Sequence, residues 1–217
     1  TMQRSSSTLL AICFLHASAL QLQASLNPFT WFQSEEEDII SLNVATPAQE
    51  AEASALLETA KAKLAAGSTG SAQRTFKKII KKYSTAKAAA EAHYYNGQIL
   101  MSKGRWDKAF TSFQTIVAKH PSYENFDQVI GAQFECATAL MEGARGRILW
   151  IIPGFKQYGE ATREFEQIVR NAPYSDYAPL SLMNIAIVSE MQEKPEEAID
   201  ALDRVINYYP QSMLAPD

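Results

Sequence analysis

Gly104-Arg105-Trp106-Asp107-Lys108-Ala109-Phe110, continuing through Phe113, Ile116-Val117 and His120-Pro121, is a phrase the chain writes more than once. It returns as Tyr158-Gly159-Glu160-Ala161, Phe165, Ile168-Val169 and Ala172-Pro173. A third copy reads Pro195-Glu196-Glu197-Ala198, Leu202, Val205-Ile206 and Tyr209-Pro210. In each copy the alanine and the large apolar residue stand four apart, so they share one face of a helix, small beside large. A repeat of this kind predicts an all-α solenoid of antiparallel helix pairs, whose product is a binding surface rather than a catalytic pocket.

The phrase resembles the second half of a tetratricopeptide repeat. Aligned on its alanine, the copies fall at Ala72, Ala109, Ala161 and Ala198, spaced by 37, 52 and 37 residues. The familiar unit is about 34 residues long, so the additions fall after the proline position, in stretches such as Tyr83-Ser84-Thr85-Ala86. Ahead of each alanine a small residue, Ala60, Gly97, Ala137 or Ala186, marks where a first helix crosses its neighbour closely. About four repeats are expected, near 50–85, 86–122, 123–175 and 176–212, within a solenoid spanning 47–217. These small and large residues read as core.

Composition narrows the class. Apolar residues are 47% of the 217 and charged ones 20%, enough to bury a sizeable core. A formal net charge of −4 argues against a general nucleic-acid binder. Cys13 and Cys136 make no disulfide framework, and the three histidines have no metal-ligand spacing. No nucleophile triad, HExxH motif or glycine-rich phosphate loop appears, so neither catalysis, a cofactor nor a small-molecule substrate is expected.

Residues 1–24 read as a secretory signal: Met2-Gln3-Arg4, the apolar run Thr8 to Leu15, then the small-residue sites Ala17-Ser18-Ala19 and Leu22-Gln23-Ala24. Cys13 follows Ile12, a bulky residue where lipid-acceptor signals carry a small one, which argues against lipidation there. Residues 25–46 read as an extended linker with the solvated acidic run Glu35-Glu36-Glu37-Asp38.

The third unit carries an insertion at 144–156, Ala144-Arg145-Gly146-Arg147-Ile148-Leu149-Trp150-Ile151-Ile152-Pro153-Gly154-Phe155-Lys156. Five bulky apolar residues in a loop are unusual. Two readings stand. Ile148, Trp150 and Ile152 pack onto an adjoining repeat; or Arg145, Arg147, Leu149, Trp150 and Ile151 form a partner- or membrane-docking loop. At the other end, Tyr209-Pro210-Gln211-Ser212 leads toward a further helix, so the array is expected to continue past Asp217.

The junctions Tyr209-Pro210-Gln211-Ser212…Ala215, Ala172-Pro173-Tyr174-Ser175…Ala178 and Tyr83-Ser84-Thr85-Ala86…Ala90, taken with Ala89 to Gly97 and the signal, resemble the BamD (YfiO) family of outer-membrane protein assembly factors. The resemblance covers roughly 47–217. It implies a non-catalytic scaffold in the periplasm of a Gram-negative bacterium, at the inner face of the outer membrane. Such a protein binds the barrel-forming subunit of the β-barrel assembly machinery and contacts unfolded outer-membrane proteins. The chain departs from the family in its poor lipid-acceptor signal and in lacking a fifth repeat within these residues.

Counting from the small residue of each first helix places Tyr94, Gln98 and Met101, then Phe134, Thr138 and Met141, then Met183, Ile187 and Glu190 on the groove side. An aromatic, Met-rich lining suits degenerate apolar peptides. The competing reading buries several of these residues between helices. Two further functional classes remain: a Tol-associated periplasmic repeat protein coordinating envelope constriction, and a generic peptide-binding adaptor. The first usually carries an N-terminal coiled coil, and residues 25–66 hold no sustained heptads.

Overall fold

Thr46 sets where the chain turns helical. Its hydroxyl accepts from the Gln49 amide at 3.3 Å, and the Gln49 side chain accepts from the Thr46 N–H at 2.9 Å. This reciprocal cap, with Pro47 at the first helical position, satisfies donors that a helix start leaves open. The computed structural model describes residues 44–143 and 157–212, and those residues form eight helices and no strand. The signal, most of the linker and the whole 144–156 insertion lie outside the described residues. The chain divides into two units, Thr1–Val44 and Ala45–Asp217, and the helices belong to the second.

The helices are α1 (Pro47–Ala65), α2 (Thr69–Lys82), α3 (Lys87–Ser102), α4 (Trp106–Lys119), α5 (Phe126–Glu142), α6 (Tyr158–Asn171), α7 (Tyr177–Met191) and α8 (Pro195–Tyr208). They form four pairs, α1–α2, α3–α4, α5–α6 and α7–α8. Three residues join the helices of the first, second and fourth pairs, against fifteen in the third. The short turns each need one left-handed residue: Gly67 at φ 76°, Gly104 at φ 65° and Glu193 at φ 59°. Glycine takes that conformation freely, whereas a side chain at Glu193 strains it.

Each helix packs on its neighbours in sequence, and first helices also meet across repeats, α1 on α3 and α5 on α7. The expected small-against-large contact is the core of every pair. Phe76, Phe113 and Phe165 are fully buried on the second helices, as are Ala60 and Ala137 opposite them on the first. Full burial of such a side chain stabilises by roughly 1.5–3 kcal/mol. Leu202 takes the same place in the fourth pair and is only half-buried.

Between repeats the core turns polar. Gln73 donates to Asn96 at 3.1 Å, and Asn96 donates to Ser112 at 3.2 Å. One repeat further, Asn171 donates to Gln114 at 2.7 Å and to Gln133 at 3.1 Å, while Gln133 donates to Gln114 at 2.8 Å. Satisfied networks of this kind fix one register between stacked units, since any slip would strand buried polar groups. His93 sits beside the first seam, 3.3 Å from the Ser112 hydroxyl, and its burial, with His120 and Lys119 nearby, pushes its pKa down to about 4.

Candidate peptide-binding face

The first helices position the candidate face. Gly97 is pressed against its own second helix: a Cβ there would lie 2.6 Å from Phe113 Cζ. With the small residue turned inward, side chains three before and one after it fall beside the helix–helix contact, at Tyr94 and Gln98, Phe134 and Thr138, and Met183 and Ile187.

The structure treats these residues unequally. Tyr94 is half-buried in an aromatic cluster, its ring centroid 5.9 Å from Phe113 and 6.4 Å from Tyr123, and its hydroxyl donates to Gln128 at 3.4 Å. Phe134 lies 5.6 Å from Phe165 and 5.4 Å from Tyr177. Both rings wedge between first helices with an edge left open, the half-buried geometry in which one aromatic serves core and surface together. Gln98 is exposed, Met141 and Met183 are half-buried, and Ile187 is 36% exposed. Thr138 is half-buried, with its hydroxyl buried and lacking a hydrogen-bond partner.

Met101 differs from its expected place. It is 7% exposed and belongs to the core cluster with Leu100, Phe110 and Val129. The physical reason is the neighbouring repeat: α5 packs on α4 beside the end of α3, and the flexible thioether fills the gap. Arg145, Arg147, Leu149, Trp150 and Ile151 lie outside the described residues.

Three participants, Glu91, Tyr177 and Leu180, were not legible in the sequence as part of this face, whereas Lys61, one residue after Ala60, follows from the same count as Gln98 and Thr138. Lys61 and Glu91 pair across the first two repeats at 2.5 Å, a contact that raises the lysine pKa. Tyr177 covers Gly131, where a Cβ would meet its hydroxyl at 2.8 Å. Leu180, 37% exposed, extends the apolar row beside Ile187. Only the period could have flagged them, since Gly131 and Leu180 occupy the same position in successive first helices. Among the described residues there is no group of His, Cys, Asp and Glu able to hold a metal ion, and no helix long and apolar enough to cross a membrane.

Two segments match family models of the tetratricopeptide repeat: residues 57–124, which take in most of the first two helix pairs, and residues 180–212, which take in the fourth. No curated protein matches the chain. The fold is an all-α tetratricopeptide-repeat solenoid. Repeats of this type are generally non-catalytic and serve as protein-interaction scaffolds, because stacking exposes a continuous row of first helices.

Proposed function

We propose that this chain is a non-catalytic scaffold of the outer-membrane β-barrel assembly machinery, working in the periplasm at the inner face of the outer membrane. Its first-helix face takes apolar, aromatic-rich segments of protein partners: the barrel-forming subunit and unfolded outer-membrane proteins. The observation that carries the reading is the row Tyr94, Phe134, Leu180 and Ile187, where apolar side chains stay partly open along successive first helices. Rings and aliphatic chains supply contact area without demanding one sequence, which suits a tolerant reader. The tyrosine-proline-x-serine junction at Tyr209-Pro210-Gln211-Ser212 and its looser relatives supply the link to this machinery.

The test is envelope crosslinking of the full-length gene product in a Gram-negative host, with captured partners identified by mass spectrometry. Recovery of a large β-barrel protein with periplasmic POTRA domains supports the proposal. Recovery of Tol or peptidoglycan-synthesis proteins without that barrel overturns it in favour of the envelope-constriction reading.

A further inference from the structure

One buried carboxyl group has no counterpart in the repeat logic. Three residues after the landmark alanine, the second helices carry Thr75, Ser112, Glu164 and Ala201. The first three are polar, and two of them are fully occupied. Thr75 accepts from the Lys63 ammonium at 3.1 Å. Ser112 donates to the His93 carbonyl at 3.0 Å and accepts from Asn96 at 3.2 Å. Glu164 is 7% exposed, and its Oε2 is buried with no hydrogen-bond partner. A buried polar group left unmatched is costly, more so if it is charged, so its presence calls for a cause.

Glu164 also lines a cavity of about 370 Å³ between α4 and α6, with Asp107, Phe110, Gln114, Glu160 and Arg163 among its other walls. That is ample for one long side chain, since a water molecule occupies about 30 Å³ of liquid. The carboxyl groups of Asp107, Glu160 and Glu164 and the Phe110 ring line this space together with two arginines, of which Arg170 donates to Gln167 at 2.9 Å. Arg163 is engaged with Glu160 at 3.4 Å and is largely exposed, so it does not reach in to pair with Glu164.

We propose that this cavity is a receptor for a single lysine or arginine side chain of a partner protein, with Glu164 as its anionic floor and Asp107 and Glu160 at its rim. At the equivalent position of the first repeat a lysine of the chain itself, Lys63 from α1, donates to Thr75. The aliphatic stem of the incoming residue packs along Phe110, and its charged head pairs with the Glu164 carboxylate at the cavity wall. The site is built from second helices alone, so it stands apart from the first-helix face and does not depend on its partners.

Binding is linked to a proton. Burial, with Glu160 and Asp107 adding like charge and Arg163 opposing them, raises the Glu164 pKa to about 9. From α5 the facing group is Cys136, whose thiol burial pushes up, with Glu135 close to it. The empty site therefore holds the neutral acid at pH 7. When the cation enters, the carboxyl proton leaves to solvent and an ion pair forms. Only the ionised fraction is competent, so affinity rises about tenfold per pH unit below pH 9.

The test is a titration of the full chain, carrying ¹³C-labelled glutamate, with Nα-acetyl-arginine methylamide and its lysine counterpart, followed by the Glu164 carboxyl resonance. The neutral citrulline analogue is the control. The expected result is a Glu164 shift with either cation and not with citrulline, tightening about tenfold from pH 7 to pH 8. Glu164→Gln should lose at least about tenfold in affinity together with the pH slope. Asp107→Asn, further from the floor, should weaken binding and keep the slope. Equal binding of citrulline, unchanged binding by Glu164→Gln, or no Glu164 shift with either cation in the folded protein would overturn the proposal.

Discussion

Gly97 on α3 and Phe113 on α4 are in contact so close that no side chain fits between them: a Cβ on Gly97 would stand 2.6 Å from both Cε1 and Cζ of the ring. Phe113 is fully buried and walled by the next repeat, so it cannot swing aside. Gly97→Ala is accordingly expected to destabilise by about 1–3 kcal/mol, as overpacking of a filled core does. Thermal melts would check it. Phe113→Leu in the same chain should recover part of the loss, which would fail to happen if the glycine mattered for its backbone alone.

The turn between α7 and α8 stores a smaller strain. Glu193 is the one non-glycine residue at positive φ among the described residues, in the place that Gly67 and Gly104 occupy in earlier repeats. Glu193→Gly should stabilise by about 1 kcal/mol, since the left-handed conformation then costs no Cβ clash. At this chain length that corresponds to roughly 2–4 °C in Tm.

Asn171 ties the side chains of the second and third repeats together. Its amide donates to Gln114 and Gln133, and its oxygen accepts from Gln167 at 2.8 Å. Asn171→Ala strands those glutamines and should cost about 1–3 kcal/mol. Amide exchange ought to rise at the α4–α5–α6 junction first; protection that stays uniform there would argue that the seam contributes nothing to register.

Glu164 makes stability fall as pH rises. Its folded pKa lies near 9 through burial and nearby Glu160 and Asp107, well above an unfolded glutamate's. Between about pH 4.5 and pH 9 the native state therefore holds a proton that the unfolded state releases, and stability declines across that window. Glu164→Gln should flatten the decline, raising stability at pH 8 by a few kcal/mol at most and leaving pH 4 unchanged. Denaturant titrations at the two pH values would distinguish this from a uniform effect.

Leu180 and Ile187 are both more than a third exposed on α7, so charge can be introduced there without opening the core. The double variant Leu180→Glu and Ile187→Glu should keep its helicity and weaken binding of an aromatic-rich β-strand peptide by tenfold or more, in line with losing two apolar contacts. Unaltered peptide affinity in the folded variant would move the partner surface away from this face.

The sequence by itself determined the repeat, its helix pairing and most of its core. Ala109–Phe113 and Ala161–Phe165 state a helix face in four residues of spacing, and each of these residues is fully buried. Periodicity is a local property, set by 3.6 residues per turn, so it survives in a single chain of letters. What lies between repeats is not local. Gln114 and Asn171 are 57 residues apart, yet they bond in one half-buried seam. Met101 follows the groove count by spacing and is buried because another repeat closes over it. Glu164 stands three residues after Ala161, at the edge of the core stripe of α6, and is a lone buried acid because α4 and α5 close beside it. Stacking decided which polar residues find partners and which cavity remains, because desolvation is a property of what surrounds a side chain and not of its place in the period.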